Sequence, residues 1–198
     1  MVMTTSNMLA LGHKAASFSL PDTQGNIVSL SDFEGSKGLV VAFICNHCPY
    51  VIHIAPQLAK VAQEYQNKGI AFVAINSNDT EQYPDDDMAH MIDEKQTRQY
   101  PFAYLLDGKQ DVAKAYSAAC TPDIFLFSAD KKLVYRGQFD DSRPLRISSG
   151  NYDSSKHQAT GSHLIMAMNA LLDERHIDTK QIPSMGCNIK WKAGNEPL

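Results

Sequence analysis

Two uninterrupted apolar runs stand out in the pattern of hydrophobic and polar positions. Residues 38–45 are GLVVAFIC and residues 70–76 are IAFVAIN. Such β-branched runs are typical of strands buried on both faces of a parallel sheet. Between them, residues 50–67 carry apolar side chains at helical spacing, and Pro56 is expected to kink this helix. The pattern predicts a right-handed strand–helix–strand crossover over residues 38–76.

The rest of the chain supplies shorter elements. Residues 17–20 and 27–30 flank a turn-forming segment, DTQGN, and are predicted to form a hairpin. Further strands are predicted at 123–128 and 133–139, and helices at 85–99, 111–119 and 162–175. This order predicts an α/β protein with a mixed central sheet between two helical layers. Residues 140–160 are predicted to be a polar loop.

Length and composition favour one globular domain over residues 1–198, with a core at about 14–177 and a C-terminal extension at 178–198. The net charge of -4 and the lack of a Lys/Arg run argue against nucleic acid or an anionic membrane as partner. The first residues do not have the pattern of a signal peptide, and we expect a cytoplasmic protein. Four cysteines in a reducing compartment do not indicate a disulfide scaffold.

Two of the cysteines are three residues apart, in Cys45-Asn46-His47-Cys48, where the first apolar run meets the first helix. The first turn of a helix presents unpaired N–H groups and a positive dipole end, which stabilise a thiolate. Two thiols at this spacing can also close a small disulfide ring. A protonated His47 would favour the thiolate further, and Pro49 suits the first helical turn. This arrangement predicts thiol redox chemistry.

Two other interpretations of the cysteine pair remain open. A C-x-x-C pair is often half of a zinc site, but Cys120 and Cys187 lack the spacing of the second half. The thiols could also be inert and buried. Redox chemistry is the favoured interpretation, with no metal and no other cofactor.

A second feature is Thr121-Pro122, which directly precedes the predicted strand DIFLF. A proline at such a junction can adopt a cis peptide bond in a tight turn. A trans bond is the ordinary alternative, but together with the strand–helix unit that carries the cysteine pair, the cis form is predicted.

Residues 14–139 resemble the thioredoxin superfamily, and within it the peroxiredoxin-like (redoxin, AhpC/TSA-type) branch, here with a C-x-x-C motif. The resemblance rests on ASFSLPDTQGNIVSL, on CNHCPYV and on TPDIFLF, and SMGCNIKWKAGNEP resembles the tail of a peroxiredoxin-like subgroup. It implies a thioredoxin-like three-layer sandwich with an N-terminal hairpin extension and a C-terminal tail.

The resemblance also implies roles for individual residues. Cys45 would be the exposed nucleophile and Cys48 the partly buried resolving cysteine of a redox-active disulfide. Thr121 and Pro122 would pack against the cysteine pair and offer backbone for substrate pairing. Apart from the resemblance, Asn46 is a further candidate substrate-binding residue, and the charge of His47 is expected to tune the reduction potential. Substrates would be disulfide-bearing proteins, small thiols or hydroperoxides, with a thioredoxin- or glutathione-type electron donor.

One departure from the peroxiredoxin pattern matters for function. That pattern is Pro-x-x-x-Thr-x-x-Cys around the cysteine that attacks peroxide. With Cys48 in that role, Val41 holds the proline position and Cys45 the threonine position. The hydroxyl that would orient a peroxide is missing, so a thiol–disulfide oxidoreductase is favoured. A thiol peroxidase and a non-catalytic binding module are the alternatives.

Other candidate residues receive weaker predictions. Cys120 and Cys187 are candidate additional thiols, but burial is the usual fate of an isolated cysteine. Cys187 is expected to lie in a docked tail and to take no part in the redox chemistry. The acidic run at 85–87 is predicted to be a solvated helix start, and Asp140 a solvated rim residue.

Overall fold

The computed structural model describes residues 3–197 and contains twelve strands and four α-helices within that range. The strands are β1 (Met3–Thr5), β2 (Ser19–Pro21), β3 (Ile27–Ser29), β4 (Gly38–Phe43), β5 (Ile70–Asn76), β6 (Ala103–Leu106), β7 (Cys120–Thr121), β8 (Asp123–Ser128), β9 (Leu133–Gly137), β10 (Leu145–Ser148), β11 (Asn151–Asp153) and β12 (Met185–Asn188). The helices are α1 (Pro49–Gln66), α2 (Met88–Arg98), α3 (Asp111–Ala115) and α4 (Ser162–Leu172).

The central sheet has five strands in the order β6-β5-β4-β8-β9. Strand β4 lies in the middle, parallel to β5 and antiparallel to β8, with Gly38 opposite both Ile70 and Ser128. All six residues of β4 are buried, as its continuous apolar sequence predicts. The carboxyl end of β4 therefore lies in the protein interior. The cysteine segment, Cys45-Asn46-His47-Cys48, follows it.

Side chains of β4 alternate between two hydrophobic layers because successive residues of a strand point to opposite faces. Val40 and Ala42 join the layer that contains residues of α1, α2 and α4. Leu39, Val41 and Phe43 join the layer that contains residues of α3. The predicted mixed sheet between two helical layers is confirmed.

A second, smaller sheet has the order β1-β12-β7 and joins both ends of the chain to the core. Strand β12 is antiparallel to both neighbours, with Cys187 opposite Met3 on one side and Thr121 on the other. After β12 the chain continues to Trp191, which packs against the α3 layer. The C-terminal extension is thus part of the folded structure.

Several predicted boundaries need correction. Strand β4 ends at Phe43, so Ile44 and Cys45 lie beyond it. Helix α3 ends at Ala115, and α2 begins only at Met88, after a separate 3-10 turn at Pro84–Asp86. The predicted polar loop at 140–160 contains the hairpin β10–β11. Strands β1, β6, β7 and β12 were not predicted from the sequence.

Other predictions are confirmed. Strands β5 and β8 have the predicted bounds, and β2 pairs antiparallel with β3 as a hairpin. Helix α1 runs from Pro49 to Gln66 and continues through Pro56. Among residues 3–197, none of the helices combines the length and apolarity needed to cross a membrane.

Candidate active site

The cysteine segment connects the end of β4 to the start of α1. Cys48 is the N-cap of the helix, and Pro49 occupies its first turn, where the missing N–H has no helical partner to lose. Cys48 therefore lies at the positive end of the helix dipole. Cys45 lies three residues earlier, outside the helix. The predicted helix-start environment thus applies to the second cysteine of the pair.

Both cysteines of the pair are buried thiols: Cys45 is 1% and Cys48 is 0% exposed. The expectation of an exposed Cys45 is wrong, because the residue follows a central strand and remains in the interior. The Sγ atom of Cys48 lies 2.9 Å from the Sγ atom of Cys187 and 3.1 Å from the carbonyl oxygen of Thr121. The Sγ atom of Cys45 lies 3.4 Å from Oγ1 of Thr121.

The surroundings of the two thiols shift their pKa values in opposite directions. Burial opposes ionisation of Cys48, but hydrogen bonds from the thiols of Cys187 and Cys45 and from backbone N–H groups, including that of Val51, outweigh burial and lower its pKa well below the usual value. Burial raises the pKa of Cys45, as do its hydrogen bond to Cys48 and the negative charge of Asp86. The site therefore favours a thiolate on Cys48 and a protonated Cys45.

The loop opposite the cysteines contains a cis peptide bond between Thr121 and Pro122, as predicted. Thr121 contacts both members of the pair, Cys48 through its carbonyl oxygen and Cys45 through its hydroxyl. The carbonyl oxygen accepts the S–H of Cys48 when that thiol is protonated. On its outer side, Thr121 is already paired with β12.

Asp86 is the residue of this site that the sequence prediction missed. Its side chain is fully buried, whereas a solvated position was expected. One carboxylate oxygen accepts the backbone N–H of Asn46 at 2.8 Å, and the other accepts Nδ2 of Asn78 at 2.7 Å and lies 2.8 Å from Nδ1 of His47. Asp86 thus anchors the two residues between the cysteines. A buried carboxylate needs such partners. Because β6, the strand that follows Asp86, was not predicted, the sequence analysis had no signal for this burial.

His47 and Asn46 have defined positions in this segment. The Asp86 carboxylate, 2.8 Å from Nδ1, raises the pKa of His47, although partial burial opposes this shift. The His47 ring stacks on Tyr83, with ring centroids 6.0 Å apart. The Asn46 side chain accepts the hydroxyl of Tyr104 at 2.9 Å and donates to the carbonyl oxygen of Asp85 at 2.8 Å. Both residues are held by the protein, and Asn46 directs its side chain inward.

Three groups of the site could serve as metal ligands. One ligand atom each of Cys45, His47 and Asp86 lies within 4.8 Å of the others. In the structure, both carboxylate oxygens of Asp86 already accept hydrogen bonds from Asn46 and Asn78. These hydrogen bonds anchor the cysteine segment.

The two additional thiols differ in their relation to the pair. Cys120 is buried, and its thiol lies 3.5 Å from the carbonyl oxygen of Pro122. Cys187 lies in the docked tail, as expected. Its thiol contacts Cys48, however, so Cys187 is part of the site. The expectation for Asp140 is also wrong, because this residue is buried and accepts the backbone N–H groups of Thr160 and Gly161.

A buried cysteine pair at the start of a helix, beside a cis-proline loop on a mixed sheet, defines a thioredoxin-like redox protein. Residues 11–136 match the model of the AhpC/TSA family. The chain belongs to this family.

Comparisons with individual proteins agree with this assignment. A solved structure of a conserved protein from Geobacillus kaustophilus, described as uncharacterized, is 47% identical with a TM-score of 0.89, and the match covers 97% of each chain. "Thiol-disulfide oxidoreductase ResA" from Bacillus subtilis (strain 168) is 26% identical over 133 residues, 67% of this chain and 70% of the relative. ResA from Halalkalibacterium halodurans is 33% identical over 70 residues, 35% of this chain and only 39% of the relative. The relatives named thiol-disulfide oxidoreductase support a redox function.

Proposed function

We propose that the protein is a thiol–disulfide oxidoreductase in which Cys48 is the attacking thiolate. The observation that carries this proposal is the position of Cys48, which caps α1 and lies 2.9 Å from the Sγ atom of Cys187. When Cys48 is ionised, the thiols of Cys187 and Cys45 donate hydrogen bonds to it. Because the thiolate is the nucleophile in disulfide exchange, the residue whose surroundings favour the anion is the one that attacks. This assignment replaces the nucleophilic role expected of Cys45.

A second thiol completes the reaction. The C-x-x-C spacing makes Cys45 one candidate, and the contact across to β12 makes Cys187 another. Both are buried beside Cys48 and stay protonated while Cys48 carries the charge. The net reaction converts two protein thiols into one disulfide and reduces one substrate disulfide to two thiols.

The neighbouring polar residues have positioning roles in this proposal. His47, paired with Asp86, places positive charge near the thiolate and so stabilises the reduced form of the couple. Asn46 fixes the segment through Tyr104 and Asp85. Thr121 and Pro122 form the opposite wall of the site.

The size of the substrate follows from β12. This strand already pairs with Cys120 and Thr121, so the backbone edge beside Cys48 is not available to an extended protein substrate. The proposal therefore favours low-molecular-weight disulfides, with a small thiol or a thioredoxin-type dithiol as electron donor. No nucleic acid, membrane or bound cofactor takes part, and the cytoplasm is the proposed compartment.

Replacing Cys48 tests the proposal directly. The reduced protein is mixed with oxidised glutathione, and the loss of protein thiols is followed with time. Cys48→Ser is expected to slow this loss by about 100-fold or more, because the attacking sulfur is gone. Cys120→Ala, which removes a buried thiol elsewhere, serves as the matched control and should react like the wild type. An unchanged rate in Cys48→Ser, or a wild-type couple with no accessible reduction potential, would refute the proposal.

The lowered pKa of Cys48 predicts a specific pH dependence. A free thiol is protonated below a pH of about 8, whereas the Cys48 thiolate should persist into the acidic range. The ultraviolet absorbance of the thiolate is therefore expected to remain at a pH of about 5 in the wild type and in Cys120→Ala. It should be missing in Cys48→Ser. Retention of that absorbance in Cys48→Ser would show that another cysteine carries the charge.

Burial of the site favours a second candidate function, the reduction of small hydroperoxides. Cys48 is fully buried, and hydrogen peroxide is smaller than any disulfide substrate. Attack by the Cys48 thiolate would give a sulfenic acid and an alcohol or water, and Cys45 would then form a disulfide with Cys48 and release water. Rapid mixing with hydrogen peroxide tests this function, and a rate no higher than that of free cysteine excludes it.

A further inference from the structure

The C-terminal strand places a third thiol against the cysteine pair. Cys187 lies in β12, is 1% exposed and approaches Cys48 to 2.9 Å between sulfurs. A disulfide bond measures about 2.05 Å, so the two atoms need to move together by less than about 1 Å. The two residues are 139 positions apart in the chain, and only the folded tail brings them into contact.

Gly186 explains how the tail comes so close. A Cβ atom at this position would lie 2.0 Å from the carbonyl oxygen of Thr121 and 3.2 Å from Cδ of Pro122. Any other residue would push β12 away from the cis-proline loop. The neighbouring glycine therefore sets the distance at which Cys187 faces Cys48.

Hydrogen bonds beyond β12 hold the tail in this register. The backbone N–H of Lys190 donates to Oδ1 of Asn78 at 2.8 Å, and the Lys190 carbonyl oxygen accepts both the N–H of Asp79 and the side chain of Gln110. Asn78 also donates to Asp86, which anchors the segment between the cysteines. The same side chain thus positions both sulfur-bearing segments.

We propose that Cys187 is the resolving cysteine of this protein, so that oxidation closes a disulfide between Cys48 and Cys187 and locks the C-terminal strand onto the active site. This inference rests on the proposed function and names the second thiol of that reaction. It makes the tail a working part of the site.

The reaction proceeds in two balanced steps. The Cys48 thiolate attacks a small disulfide, forms a mixed disulfide with one half and releases the other half, which takes up a proton as it becomes a thiol. Cys187 then loses its proton and attacks Sγ of Cys48, and the bound half leaves as a thiolate that takes up that proton. Two protein thiols are oxidised to one disulfide, and one substrate disulfide is reduced to two thiols.

The order of these steps follows from the charge on Cys48. The hydrogen bond between Cys187 and the Cys48 thiolate is the main reason why the pKa of Cys187 is raised, and burial is the second. Once Cys48 is in a mixed disulfide, it carries no charge, and this cause disappears. The positive charge of Lys190, which favours the anion of Cys187, remains. Burial still opposes ionisation of Cys187, but Cys187 loses its proton more readily after the first step than before it.

The experiment identifies the first disulfide that forms within the protein. Reduced full-length protein is mixed with less than one equivalent of oxidised glutathione, quenched in acid at early times, blocked with N-ethylmaleimide, digested and analysed by mass spectrometry without reduction. The expected product in wild type is the peptide pair joined through Cys48 and Cys187, and it should also form in Cys45→Ala. This result needs no substitution at Cys187, so it does not depend on how that variant folds.

A kinetic arm separates the two candidate resolving thiols. Cys187→Ser keeps the size of the side chain. This variant is expected to accumulate the mixed disulfide of Cys48 with glutathione, which should disappear at least about tenfold more slowly than in the wild type. Cys120→Ala should behave like the wild type. A wild-type product joined only through Cys45 and Cys48, with normal clearance in Cys187→Ser, would overturn the role of Cys187. Thiols that remain unreacted in every variant would instead refute the proposed function itself.

Discussion

Replacement of Asp86 by alanine is expected to lower the free energy of unfolding by about 3 kcal/mol. The carboxylate is fully buried and holds the backbone of Asn46, the side chain of Asn78 and the ring of His47. Without it, buried donors lose their acceptor, and the loss of such partners is costly in the protein interior. Urea unfolding of the reduced protein measures the effect.

The neighbouring acidic residue provides a control for Asp86. Asp85 takes part in the site only through its backbone carbonyl oxygen, which accepts a hydrogen bond from Asn46. Asp85→Ala keeps that carbonyl group and should change the free energy of unfolding by no more than about 0.5 kcal/mol. If the two variants lost equal stability, Asp86 would not be the anchor described above.

Substitution of Gly186 is expected to have the second large effect. Even the single carbon of Gly186→Ala would lie 2.0 Å from the carbonyl oxygen of Thr121, and a backbone atom cannot move aside cheaply. We expect a loss of about 3 kcal/mol in the free energy of unfolding, because overpacking forces the strand away from its partners. The yield of the disulfide between Cys48 and Cys187 should fall together with stability.

Gly108→Ala is the matched control for this prediction. A Cβ atom at Gly108 would have no atom within 4 Å, so the same chemical change is made in open space. Its free energy of unfolding should stay within about 0.5 kcal/mol of wild type. A Gly186→Ala protein as stable as Gly108→Ala would mean that β12 does not need its close approach to Thr121.

The elements that could be predicted from the sequence are those with a strong local pattern. Strand β5 and helix α1 bury long apolar faces, and their sequences show this directly. Strand β12 could not be found in this way, because Met185–Asn188 is short and gains its structure by pairing with β1 and β7. Pairing partners so far apart in the chain leave no periodic signal.

The same distinction applies to the site. The C-x-x-C spacing and the proline after Thr121 are local features, and the structure brings them together as expected. In contrast, the burial of Asp86 and the contact between Cys187 and Cys48 depend on how β5, the 3-10 turn at Pro84–Asp86 and the C-terminal tail pack together. The division of roles between Cys45 and Cys48 depends on which of them caps α1, a boundary that the sequence places only within a few residues.

The docking of the C-terminal segment also gives the protein an intrinsic optical reporter. Trp191 is the only tryptophan of the chain and lies four residues after Cys187, packed against the α3 layer. Release of the tail would expose the indole to water and shift its fluorescence to longer wavelength. Emission recorded during a redox titration would therefore follow the C-terminal strand itself, in the unmodified protein and without a label.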